Sequence, residues 1–165
     1  MPLEDPLYRP DDLDDAFEVR EARGRRSSEH WALLIVSSVC VLGLALFPVL
    51  LSPDERGYGT HEQLGFDPCF PLAAWNVPCP GCGVTTSVTH ITHGNVLASL
   101  RAQPLGFLLA VGSVVAFLFL WSEHLRGRDA WNRVALWGWP RIFRGSITVM
   151  ALAWLYKIAA VRGWL

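Results

Sequence analysis

Residues 31–51 read WALLIVSSVCVLGLALFPVLL, twenty-one positions without a charge. A helix rises about 1.5 Å per residue, so a run of this length reaches roughly 30 Å, the hydrocarbon thickness of a bilayer. The stretch therefore predicts a membrane-spanning helix, and with it an all-helical fold. A cleaved signal peptide is disfavoured, because a long acidic region precedes the run and no small-x-small site follows Leu51.

Two further apolar runs support this reading. Residues 105–121, LGFLLAVGSVVAFLFLW, carry no charge and follow Pro104, a natural first-turn residue. Residues 145–161, GSITVMALAWLYKIAAV, carry one, Lys157. Near the end of a span a lysine can reach out to the interface, so Lys157 is expected to act as an anchor beside Tyr156, Arg162 and Trp164. The chain is 165 residues long and 52% hydrophobic, and its eight tryptophans suit side chains that sit half in lipid and half in water. A net charge of -1 gives no support to nucleic-acid binding.

The arginines set an orientation. Arg9, Arg20, Arg23, Arg25 and Arg26 precede the first span, and Arg126, Arg128, Arg133, Arg141 and Arg144 separate the second from the third. The loop between the first two spans has only Arg56 and Arg101. Positive loops stay inside, so the N-terminus is expected to be cytoplasmic and the 52–104 loop and C-terminus outside. Trp31, Trp121, Trp131, Trp137 and Trp139 then form a belt at the inner interface.

Residues 1–30 are polar and are expected to form a disordered tail, or a short helix around Leu13 and Phe17. Residues 31–165 form the membrane domain, with an inner loop over 122–144 whose 129–141 segment is anchored by tryptophan. Two short helices are expected to lie at the outer surface or to dip into it. In the first, Val84, Val88 and Ile91 make an apolar face opposite Thr86, His90 and His93. Gly94-Asn95 breaks it, and Val96, Leu97 and Leu100 begin the second. Thr85, Thr86 and Ser87 read as N-terminal caps, and His90 and His93 as plain polar residues.

Cys40 lies within the first span and reads as a small apolar residue packed on a neighbouring helix. The remaining three, Cys69, Cys79 and Cys82, share the outer loop, the last two in PCPGCGVTTS. A disulfide from Cys69 to Cys79 or Cys82 would staple the loop, stabilising it by roughly 3 kcal/mol, and would leave one thiol over. A redox pair would use Cys79 and Cys82 with Cys69 as resolving partner. Zinc is the third possibility: CPGCG resembles half of a zinc ribbon, with Cys69 and His61 as further candidate ligands, and reduced thiols buried in the fold are the fourth. Cys82 and His90, about 12 Å apart along a regular helix, cannot share a metal.

The run CPGCGVTTSVTHITHGNVLASLRAQPLG resembles the signature of a bacterial membrane protein family, domain of unknown function 2752. The matching residues are Cys79, Pro80, Cys82, Gly83, Thr85, His93, Gly94, Asn95 and Pro104, within about residues 66–122. Many members carry arginine where this chain has Thr86, and the difference removes that one possible cation from beside the thiols. The resemblance implies a membrane fold with the knuckle as its shared feature, and brings no activity with it. The reading is therefore an all-helical, three-span protein of a bacterial inner membrane, without an evident catalytic constellation. It is expected to be a structural or accessory subunit with a membrane protein partner, its cysteine cluster stabilising the outer loop. A thiol–disulfide oxidoreductase and a zinc module are the alternatives.

Overall fold

A computed structural model of the chain describes residues 26–164. The expected tail helix around Leu13 and Phe17 lies outside these residues. The described residues fold into helices, with no strand among them. Three helices are long and apolar enough to cross a membrane: α1 (Ser28–Leu50), α5 (Pro104–Leu125) and α7 (Trp139–Val161). Between α1 and α5 come a short 3-10 turn (Thr60–Leu64) and helices α2 (Phe70–Trp75), α3 (Val84–Thr92) and α4 (Val96–Ala102). Helix α6 (Ala130–Ala135) joins α5 to α7.

The sequence explains where the long helices begin. Ser27 caps α1, its hydroxyl accepting the His30 N–H at 3.1 Å. The helix thus starts three residues before the apolar run. Pro104 opens α5, where its missing N–H costs nothing. Helix α7 starts at Trp139, with Pro140 in its first turn, six residues ahead of the expected run. That gives the third span 23 residues, enough to cross a bilayer despite its modest mean hydropathy of 1.3.

Apolar side chains cover the outside of this bundle. Ile35, Val39, Leu42, Leu118 and Leu152 are each about 60% exposed. So broad an apolar surface suits lipid tails rather than water. Cys40 is exposed on the same surface, not packed against a neighbouring helix as its sequence context suggested.

The buried apolar cluster of Leu34, Leu120 and Ala130 lies at one end of the bundle, with Leu33, Phe119, Trp121 and Val134 packed on it. The arginines and tryptophans of the α5–α7 connection gather there. Glu123, 2% exposed, faces Arg126 at 3.3 Å, Arg128 at 3.6 Å and Arg133 at 3.2 Å. The Arg133 contact is ionic rather than a hydrogen bond, because its geometry leaves Glu123 Oε2 without an aligned donor. His30 is fully buried beside this cluster. Its Nδ1 accepts the Ala130 N–H at 2.9 Å, so the ring proton sits on Nε2 and donates to His124 Nδ1 at 3.0 Å. One backbone amide thereby sets the tautomer of both histidines.

The opposite end carries the cysteines. Helix α3 does not lie on the surface there; it packs against α1, α4 and α5. Its buried face is not the expected Val84–Val88–Ile91 stripe alone. Thr86, Ser87 and Thr89 are fully buried, while Val84 and Ile91 are only half-buried. The hydroxyls make this possible by finding partners: Thr60 Oγ1 donates to Thr86 Oγ1 at 2.8 Å, and Ser87 and Ser99 each reach the other's carbonyl at 2.8 Å. None of Thr85, Thr86 and Ser87 caps the helix, because the N-cap position belongs to Gly83. Gly106 lets α3 and α5 approach closely: a Cβ there would meet Ser87 Cβ and the Val84 carbonyl, each at 2.7 Å.

Candidate functional site

The turn over residues 78–83 is the hub of the cysteine-bearing cap. Gly83 adopts φ 87°, a left-handed conformation that L side chains rarely take, and so ends the turn and starts α3. Pro78, buried, accepts the Trp154 indole N–H from α7 at 2.8 Å. Gln103, fully buried at the start of α5, donates to the Pro80 carbonyl at 3.3 Å. Lys157 of α7 reaches under the turn and donates to Gly57 O at 2.9 Å and Ala102 O at 2.8 Å. It is 3% exposed, so it does not extend to water as a snorkelling anchor. Its position near the end of a span made that outcome plausible; the loop carbonyls folded over it decide otherwise.

Three thiols converge above this hub. The three lie close enough to shift one another's acidity. Cys69 is the N-cap of α2, a helix that the sequence reading did not foresee, and the Leu72 N–H in its first turn favours the charged form of the thiol. Burial opposes ionisation of all three, with unequal results. In Cys69 the hydrogen bonds outweigh burial, and its pKa falls below the ordinary 9.0. In Cys79, burial and the hydrogen bond it gives to Cys69 push the pKa up. Cys82, buried most deeply and repelled by a charged Cys69, is pushed up to about 12 even with the Lys157 charge nearby. Cys69 is therefore the thiol that ionises first.

Cys69 and Cys82 line a cavity of about 220 Å³, together with Arg56, His61, Glu62 and Asn76. His61 Nε2 lies 3.2 Å from the Asp67 carbonyl. Among the described residues, no group of three or more His, Cys, Asp or Glu side chains is arranged to hold a metal ion. The cysteines are free thiols, with no disulfide between them. His93 Nδ1 lies 2.8 Å from the Thr89 carbonyl, but His90 Nδ1 is buried without a partner among the described residues. Burial and the neighbouring His93 hold the His90 pKa below its ordinary value.

The structure thus brings together Cys69, Cys79 and Cys82, with His61 across the cavity. The sequence reading missed Thr60, Ser99, Gln103 and Trp154 as parts of this end of the molecule, and it assigned Thr86 and Ser87 to helix capping rather than to buried hydrogen bonds. Lys157 had a signal, a charge inside an apolar run. The hydroxyls had one too, a Thr/Ser-rich helix lodged between two spans.

The fold and the cap define a class: an all-helical protein with three candidate membrane spans and a polar, cysteine-centred cap at one end. Residues 69–119 match the model of a family described as "Protein of unknown function (DUF2752)". The match opens at Cys69 and closes within α5. It takes in all three cap cysteines, and it bears out the resemblance drawn from the CPGCG run. No curated protein and no solved structure matches the chain.

Proposed function

We propose that the protein is an accessory subunit of a bacterial inner membrane, whose cysteine turn holds an outward-facing cap in one shape for a membrane protein partner. One observation carries this reading. Side chains from α5 and α7 converge on the 78–83 turn and the carbonyls beside it, so the turn ties the cap to two spans. The arginine distribution supports a cytoplasmic N-terminus and a cap on the other side. In the joint Cys79→Ser and Cys82→Ser variant, the thermal midpoint in mild detergent is expected to fall and residues 52–104 to become protease-sensitive. An unchanged midpoint and an unchanged digest would defeat the reading.

A second reading rests on the unequal acidities, which suit thiol–disulfide exchange. Cys69 thiolate attacks a disulfide of a partner, forms a mixed disulfide and expels one partner thiolate. Cys79 then attacks the Cys69 sulfur, giving a Cys69–Cys79 disulfide and releasing the second partner thiolate. Two electrons pass to the partner, and the proton lost by Cys79 goes to solvent. A potential near the values of exchange proteins, about -120 to -270 mV, supports this; one below about -300 mV marks an inert staple. The intact mass, taken without reductant or chelator, separates free thiols, a disulfide about two units lighter and a zinc adduct.

A further inference from the structure

A second cavity, of about 330 Å³, opens beside the last turn of α7. Its polar wall holds Arg56, Tyr58, Asn76, Arg101 and Lys157. Among the described residues no carboxylate lines it. Arg56 is engaged elsewhere, by Asp54 at 2.7 Å and Glu62 at 3.0 Å. Arg101 and Lys157 have no acidic partner among the described residues. Lys157 uses two of its three N–H donors on Gly57 O and Ala102 O, and its ammonium lies 5.7 Å from the Tyr58 ring. The carbonyls and the ring hold the ammonium in place without neutralising it. A buried cation with no counter-charge is costly, and an anion in the cavity would offset that cost.

The cavity's location narrows the anion. Its remaining wall is Gly57 with Ala160 and Val161, the last two apolar residues at the end of a membrane-spanning helix. This is the level at which a spanning helix meets lipid headgroups. We infer that the cavity bounded by Arg56, Arg101, Lys157, Ala160 and Val161 binds a phosphate group, that of an anionic phospholipid seated with its glycerol end against α7. Arg101 closes on the phosphate from the water side, and Lys157 contributes its third N–H from below. The inference stands independently of what the cysteines do.

The test is native mass spectrometry of the full chain in mild detergent, with equal amounts of phosphatidylglycerol and phosphatidylcholine of matched chains. The anionic lipid should be retained preferentially, and Arg101→Gln should cut that preference about fivefold, the effect of one basic residue at an anionic surface. Arg101 is exposed and its side chain makes no hydrogen bond among the described residues, so this variant spares the fold; Tyr156 bonds only its backbone carbonyl. Arg144→Gln, at the other end of the bundle, should leave the preference intact. A preference that persists in millimolar inorganic phosphate identifies a lipid as the source. Displacement by phosphate, with a matching rise in thermal midpoint, identifies a soluble phosphate compound in the same site. Equal retention of both lipids with no effect of phosphate, or a preference unaltered by Arg101→Gln, would overturn the assignment.

Discussion

Gly83→Ala probes the hub most directly. At φ +87° an alanine is strained, by about 1–2 kcal/mol for a residue forced into the left-handed region. Its Cβ would also sit 2.7 Å from Gly57 O, 2.9 Å from Lys157 Nζ and 3.1 Å from Ala102 O. Two of these atoms are backbone and cannot swing aside, so overpacking adds about 1–3 kcal/mol. The third is the buried ammonium held by the same two carbonyls, and displacing it strips hydrogen bonds from a charge. Together these predict a loss of about 3–5 kcal/mol, which would rank among the larger single-residue effects. Denaturant unfolding in mild detergent measures it, with cap opening followed by protease cleavage within 52–104. Gly81→Ala is the internal control: it lies in the same turn, has no positive φ, and its Cβ would meet nothing within 4 Å. The reasoning fails if Gly83→Ala unfolds within about 1 kcal/mol of the parent, or if Gly81→Ala costs as much.

Gly106→Ala should push α3 away from α5, since its Cβ would overlap Ser87 and the Val84 carbonyl; a loss of about 1–3 kcal/mol in the same unfolding assay checks this. Alkylation at mildly alkaline pH, mapped by peptide mass, should modify Cys69 before Cys79, and Cys82 last. Cys82 also sets a pH dependence. Folded, it stays protonated to about pH 12, whereas unfolded it ionises near 9.0, so its share of stability is intact below that value and declines as pH rises toward 12. Cys69 acts in the opposite sense: its lowered pKa stabilises the fold above the ordinary thiol value, and that share is lost as pH falls through the folded pKa. At the far end, Glu123→Gln leaves three half-exposed arginines around a neutral amide; a loss of about 1–3 kcal/mol, relieved by high salt, is expected in denaturant unfolding.

The parts of this protein legible in its sequence are those that local chemistry determines. Absence of charge over some twenty residues announces a span wherever the chain is placed, because the bilayer rather than a neighbour sets the condition. The CPGCG turn is local in the same way: Cys79 and Cys82 stand three residues apart, the Cys82 N–H donates to the Cys79 carbonyl at 3.0 Å, and Gly83 supplies the left-handed residue that ends the turn. The extents of α1 and α7 were underestimated because capping by Ser27 and the early start at Trp139 extend a helix beyond its apolar run.

What only the tertiary structure decided are contacts between residues far apart in the chain. Lys157 donates to a carbonyl one hundred positions away, and the Ala130 amide that sets the His30 tautomer is equally remote. The polar burial of α3 depends on Thr60 and Ser99, which come from segments flanking it on either side. Periodicity shows which face of a helix is apolar; it does not show that an opposing segment will bring a hydroxyl or a carbonyl to the other face. A polar group is buried wherever its partner arrives, and only the folded chain determines where that is.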